Sequence, residues 1–238
     1  MSKTTEWIHS AQVGRDGWRR MPGFAGIFAR NYHGGFEHFS PGGIVSATSY
    51  AGWTVTQITA VGPGTLAMAD EAGGVLTLNG GATDGDGVQM QAGGECFLPA
   101  ANKDIYIEAR LKIQDADDLD WFFGLACTDT NIFSTQPTEL IAFLGDDGDA
   151  NLDFQVRNGG AGAQADTAVD MANDTYKYLG FHVVGVTKVV PYIDGVAQTA
   201  VTANMPTALM RLTMGMLNGA TTANQLLSLD WISWIQFL

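Results

Sequence analysis

The sequence predicts an all-β protein in which two antiparallel sheets pack as a sandwich around one core, and three observations lead there. In the run Asp104 to Ile113, Ile105, Ile107, Ala109, Leu111 and Ile113 fall on one face while Tyr106, Glu108, Arg110 and Lys112 fall on the other, the period of two of a half-buried strand. Similar runs recur down the chain, and no apolar stripe of helical period accompanies them. Thirty glycines in 238 residues, with only 16% charged side chains, point to many tight turns and a sparsely charged surface. A chain of this length folds readily as one all-β domain.

The elements follow in order. Strand rhythm begins near Ile44. Trp53 to Ala60 is β-branched and bounded by glycines, Gly64 to Asp70 and Gly74 to Leu78 flank an Asp-Glu-Ala-Gly-Gly turn, and Asn79 to Gly87 is a loop. Val88 to Gln91 and the 104–113 strand come next, then an acidic turn from Asp115 to Asp120 and an apolar strand from Trp121 to Cys127. Glu139 to Leu144 and Asn151 to Arg157 read as a hairpin around Gly145 to Ala150. Tyr178 to Val186 and Lys188 to Ile193 lead into Asp194-Gly195, a strong hairpin signal. Leu209 to Leu217 and Leu226 to Leu238 close the chain. On the last of these Trp231 and Ile235 share one face and Ile232 and Trp234 the other, so both faces are apolar.

Residues 1–43 differ in kind. They hold Lys3, Arg15, Arg19, Arg20 and Arg30 against Glu6, Asp16 and Glu37, a net +2 that leaves −15 on the rest of a chain of net charge −13. They also hold seven aromatics, Trp7, Trp18, Phe24, Phe28, Tyr32, Phe36 and Phe39, with neither strand nor helix period. The expected organisation is an irregular N-terminal arm, 1–43, followed by a sandwich, 44–238. Buried Trp and Arg dominate protein interfaces, so Trp7, Trp18, Arg19, Arg20, Phe24, Phe28 and Arg30 are the candidate partner-binding residues.

Charge and composition exclude several function classes. A net charge of −13 repels a phosphate backbone and argues against nucleic acid as a ligand. The first ten residues lack an apolar h-region and no run of 18 apolar residues occurs, so neither a signal peptide nor a membrane span is expected. Cys96 and Cys127 lack metal-like spacing and are expected to be reduced and mostly buried.

Candidate chemistry is sparse. The stretch Asp115-Ala-Asp-Asp-Leu-Asp120 lacks the alternating carboxylates of a retaining glycosidase, whose nucleophile and acid lie about 5–5.5 Å apart, and reads as a solvated turn. His9, His33, His38 and His182 have no recognisable nucleophile elbow nearby, so no enzymatic activity is expected. Asp147, Asp149, Asn151 and Asp153 offer oxygens at every second residue, yet Leu152 stands where a calcium loop needs Gly and Asn158 where it needs Glu. Asp84 and Asp86 make a smaller acidic loop. No metal or cofactor is expected. Trp53, Trp121, Trp231 and Trp234 could stack on sugar rings, but their apolar neighbours favour core packing.

Several segments carry a family likeness: Asp86-Gly-Val-Gln-Met-Gln, Glu95 to Ile113, Asp120-Trp-Phe-Phe-Gly-Leu-Ala-Cys-Thr-Asp-Thr, Val189-Val-Pro-Tyr-Ile-Asp-Gly-Val and Leu229-Asp-Trp-Ile-Ser-Trp-Ile-Gln. Over roughly residues 50–238 the chain resembles a family of tailed-bacteriophage virion proteins with a concanavalin A-like (laminin G-like) jelly roll. Pro191 departs from a regular ladder and places its strand at an edge or bulge. The resemblance implies a structural virion protein on the capsid surface, assembled in the host cytoplasm, that decorates or cements the shell. Its implied partner is the major capsid protein or another virion protein, and its implied state is a homo-oligomer, a trimer by analogy with local threefold positions. The alternative implied by the fold is a lectin-like module of a tail, fibre or head appendage that binds a surface glycan.

Overall fold

The computed structural model of the chain describes residues 32–39, 43–71, 74–220 and 224–237. Among these residues lie seventeen strands and no helix. They are β1 (Tyr32–His38), β2 (Ile44–Ser46), β3 (Ser49–Tyr50), β4 (Trp53–Ile58), β5 (Thr65–Ala69), β6 (Val75–Asn79), β7 (Gly87–Ala92), β8 (Ile105–Ile113) and β9 (Leu119–Ala126). Then come β10 (Leu140–Asp146), β11 (Asp149–Asn158), β12 (Ala161–Asp170), β13 (Lys177–Val184), β14 (Lys188–Ile193), β15 (Val196–Ala197), β16 (Arg211–Asn218) and β17 (Leu226–Phe237).

Two antiparallel sheets face each other. The first runs β15-β14-β13-β8-β17-β6-β5, with β1 paired to the far half of β17; the second runs β12-β11-β10-β9-β16-β7-β4. The last two strands thus sit mid-sheet, β17 between β8 and β6 and β16 between β9 and β7. Neither sheet closes until the C-terminal fifth of the chain is in place, a topology of high contact order.

Alternation puts the core between the sheets. Ile105, Ile107, Ala109, Leu111 and Ile113 of β8 are buried inward, as the sequence predicts, opposite Trp121, Phe123 and Leu125 of β9. Phe181 of the first sheet meets Phe154 of the second with ring centres 5.7 Å apart, and Phe154 meets Phe143 at 4.8 Å, distances at which aromatic pairs attract. A bulge at Asp230 shifts the phase of β17: Leu227 and Leu229 point inward before it, Ile232 and Trp234 after it. Arg110 reaches that bulge and donates to Asp230 at 2.5 Å. Asp194 and Gly195 both take positive φ, 50° and 80°, and join β14 to β15 in the tight hairpin their identities predict. Pro191 lies on β14, whose outer side is paired at Tyr192 and Ile193 by β15 and at Val189 by Val201, and the Pro191 carbonyl accepts from the Gln198 N–H at 2.9 Å. A missing N–H is harmless there.

Several expectations are corrected. Residues 32–38, assigned to the irregular arm, are a strand of the first sheet. Their Gly-Gly pair hides the period because a Cβ on Gly35 would lie 2.4 Å from the Trp234 ring, so an apolar side chain has no room there. Cys96 is exposed, since its neighbour Phe97 takes the inward position and bridges to Met210. Both thiols are free. The polar face of β8 is not solvated: Tyr106 and Glu108 are buried on it. The candidate residues Trp7, Trp18, Arg19, Arg20, Phe24, Phe28 and Arg30 lie outside the described residues.

Candidate functional site

The outer face of the second sheet is covered by the chain itself. Gln89 and Gln91 point outward from β7, alternating with the inward Val88 and Met90, and yet both are buried. Gln89 donates to the Asp129 carbonyl at 2.7 Å and accepts from the Ile132 N–H at 3.0 Å. Gln91 donates to the Cys127 carbonyl and the Thr213 hydroxyl and accepts from the Asp129 N–H at 3.1 Å. These two carboxamides hold residues 127–132 against the sheet as a strap. Glu95 fixes its start, accepting from the Thr128 N–H at 2.7 Å and hydroxyl at 2.5 Å, bonds that hold its carboxyl below its ordinary pKa.

Under the strap lies a small apolar cluster. Ile132, Phe122, Ala126, Leu140 and Ala142 are buried together, with Phe133 and Leu144 packed at its edge. The Phe133 ring lies over Gly215, where an added Cβ would be 3.1 Å from Cε2. Arg157 donates to Gln136 at 2.7 Å and secures the far end. The middle of this face carries amide, hydroxyl and hydrocarbon, with no carboxylate among the described positions of β7, β16 and β9 other than Asp120 at the margin. Retaining glycosidase chemistry requires two.

Acidic groups gather at one end of the sandwich, in more than a solvated turn. Asp118 is buried and accepts from the Gln225 side chain at 3.0 Å. Asp120 accepts from the Asp147 N–H at 2.7 Å; burial, and the carboxylates of Asp146, Asp147 and Asp84, push its pKa up against that bond. Asp86 is 0% exposed and gathers the N–H groups of Ala60, Val61 and Gly62 at 2.7 to 3.0 Å. Burial alone would raise its pKa, but the donors of Val61, Ala60, Gly62 and Thr83 outweigh it and the net shift is downward. Each of these carboxylates ties one loop to another. In the hairpin between β10 and β11, Asp149 accepts from the Asn151 N–H at 2.9 Å and Gln164 donates to Asp153, while Leu152, Phe154 and Val156 point into the core. No group of three or more His, Cys, Asp or Glu placed to hold a metal occurs among the described residues.

The outer face of the first sheet is aromatic and charged. Tyr106 stacks on His182 at 4.1 Å, and His182 Nε2 lies 2.8 Å from Asp104. Burial, with Asp104 and Tyr192 nearby, pushes the Tyr106 hydroxyl up to about 12. Trp231 touches Phe36 and Tyr178 at ring distances of 5.7 and 6.0 Å. At one end the Arg110 guanidinium lies 3.6 Å over the Tyr176 ring, whose hydroxyl donates to Glu71 at 2.8 Å; Glu71 also receives Lys112 at 2.8 Å. Trp121 and Trp231 are buried, and Trp53 and Trp234 pack half-buried against the core. Sequence reasoning missed Gln89 and Gln91 because outward amides on a strand read as solvated.

Comparison with known proteins places the fold. No protein-family model matches the chain, and no curated protein is similar to it. Among solved structures, a protein of unknown function from Shewanella oneidensis MR-1 is similar over 100% of this chain and 95% of its own, with TM-score 0.62 and 11% identity. A Bacillus licheniformis β-glucanase is similar over 84% and 97%, with TM-score 0.58 and 13% identity. The carbohydrate recognition domain of Emp47p is similar over 84% and 98%, with TM-score 0.55 and 10% identity. The fold is a concanavalin A-like jelly roll, as found in lectins and glucanases.

Proposed function

We propose that this chain is a non-catalytic jelly-roll protein with a structural role in a phage particle, where it decorates the shell by binding the major capsid protein or another virion protein. The observation that carries the non-catalytic part is the strap over the second sheet. A polysaccharide needs an open sheet face to lie on, and here residues 127–132 cover that face with buried Gln bonds and an apolar cluster. The phage assignment is supported by the sequence resemblance in the 86–130 and 189–236 segments. Among the described residues the large exposed hydrophobics are Val61, Val186, Val196 and Leu209, none of which offers a ring for a sugar to stack on.

A second reading, a carbohydrate-binding module, is favoured by the likeness to the Emp47p carbohydrate recognition domain and the Bacillus licheniformis β-glucanase, 10% and 13% identical to this chain. Two assays on the purified full chain separate the readings. Co-sedimentation with phage particles lacking this protein is expected to saturate at a fixed number of copies per particle. A glycan array is expected to be blank. Saturable glycan binding without particle binding would overturn the structural reading in favour of the module, and release of reducing sugar from a β-glucan would overturn the non-catalytic one.

A further inference from the structure

The first sheet has both edges engaged, whereas the second ends on one side in a long open strand. Along β14 the outer side is taken by β15 and Val201, and on β5 the Leu66 N–H donates to the Ala47 carbonyl. β4, one edge of the second sheet, is six residues long. β12, the other edge, is ten residues long and among the described residues pairs only with β11. The hairpin that delivers β12 decides which of its backbone groups are unused. Gly159 and Gly160 take φ of 58° and 85°, the left-handed pair of a two-residue turn, which makes Asn158 and Ala161 a hydrogen-bonded pair. Alternation then turns the N–H and C=O of Ala161, Ala163 and Ala165 toward β11 and those of Gly162, Gln164 and Asp166 outward. Ala161, Gly162 and Gln164 are exposed, and none of the three outward N–H groups finds a backbone partner among the described residues. Proteins guard such edges with Lys, Pro, a bulge or a short strand. Residues 161–167, Ala-Gly-Ala-Gln-Ala-Asp-Thr, carry neither Lys nor Pro, and the ladder turns irregular only beyond Asp166, where Ala168 takes φ of 52°.

We propose that β12 pairs antiparallel with β12 of a second copy of this chain across a two-fold axis at Gln164, joining the two second sheets into one. The stretch is self-complementary about that axis. Gly162 then stands opposite Asp166 and Gln164 opposite Gln164, so every outward donor meets an outward acceptor, two bonds to a pair and about six in all. An axis at Ala165 would set Gly162 against the left-handed Ala168, and one at Ala163 would run Asp166 into the turn at Gly160. The side chains permit the approach. Ala163 and Ala165, both packed against the core, fall opposite each other, and no two carboxylates meet within the paired stretch, where like charges would repel. A second copy fits this edge better than a foreign peptide, because its strand is already held in β geometry and has little freedom left to lose. The contact uses the open β12 edge of both copies and so closes at two, where the family resemblance implies three. It is independent of what the particle partner is.

Amide hydrogen exchange on the intact chain, at concentrations that sedimentation shows to span monomer and dimer, tests the pairing. The Gly162, Gln164 and Asp166 amides are expected to exchange at least ten-fold slower in the dimer than in the monomer. Gln164→Pro removes the N–H donors at the axis and spares the bonds to β11, since an edge strand tolerates Pro where its N–H side faces outward. It is expected to weaken dimerisation at least ten-fold. Gln164→Ala loses the same side-chain bond to Asp153 but keeps the N–H, and is expected to dimerise as the wild type does. A wild-type chain that stays monomeric up to millimolar concentration would overturn the proposal. So would an oligomer that leaves the three amides unprotected, an outcome that does not depend on how either variant folds. Protection of these amides that appears only when phage particles are added would overturn it as well, assigning the edge to a strand of a particle protein.

Discussion

Replacing Asp86 with Ala should destabilise the protein by about 3 kcal/mol at pH 7, with a loss that depends on pH. The carboxylate is fully buried and takes three backbone N–H groups of the 60–62 loop at 2.7 to 3.0 Å. Hydrogen bonds to a charged group are worth about 1.5–3 kcal/mol each. Ala60 and Val61 are exposed and Gly62 half-buried, so water takes over much of two bonds and roughly half of the gross sum survives. For a domain of this size each kcal/mol moves Tm by about 2–4 °C, which puts the expected drop near 6–12 °C. The pKa of Asp86 is depressed in the folded protein, so its contribution is complete above the unfolded value of about 4 and is lost as the pH falls through the lower folded value. The gap between wild type and Asp86→Ala should therefore close on acidification. Thermal melts of the two proteins at pH 7, 4 and 2.5 check it. A gap that stays constant across that range, or none at pH 7, would refute the assignment of a charged, hydrogen-bonded carboxylate.

Asp120→Asn should behave in the opposite sense. Its folded pKa is raised, so stability falls as pH rises from the unfolded value through the folded one; the variant should melt higher than wild type at pH 7 and equal to it near pH 3. Gln89→Leu removes the two bonds that seat the strap at Asp129 and Ile132 and should cost about 2 kcal/mol, with chymotrypsin cutting after Phe133 several-fold faster than in wild type. Gly64→Ala places a Cβ 2.2 Å from the Gly87 carbonyl oxygen and should lower Tm more than Gly148→Ala, where space is open and only the φ of +86° resists, a cost of about 1–2 kcal/mol. Adding calcium or a chelator should leave Tm unchanged within about 1 °C, because a cation must bind the folded state to shift it and the Asp149 and Asp153 oxygens already serve the hairpin.

Strands whose two faces differ in character were legible in the sequence, and strands whose pattern is set by a partner were not. β8 and β11 alternate cleanly because one side of each meets the core directly. β12, from Ala161 to Asp170, went unread: its inward Ala163 and Ala165 are small, so the period exists without hydrophobic contrast. β1 was lost for the opposite reason, since Gly35 vacates its inward position to admit Trp234. Alternation alone sets Trp231 and Trp234 on opposite faces; what the pattern hides is the bulge at Asp230, which puts Leu229 inward and Trp231, two residues on, outward.

The same physics explains why the sites resisted reading. On the second sheet, what covers the outer face is sequence-distant from what it covers. Gln89 meets Ile132 across 43 positions and Gln91 meets Thr213 across 122, so the amides look solvated until the strap is in place. Two outward carboxamides beside apolar inward neighbours would ordinarily favour an open, wettable face. Their burial with satisfied bonds instead makes the strap part of the fold, because stripping it would leave two amides and the Phe122, Leu140 and Ala142 surface in water. A sheet face secured in this way is expensive to open, and a ligand that needed it would have to repay both terms before binding. Docking to a partner is therefore better sought on surfaces away from that face.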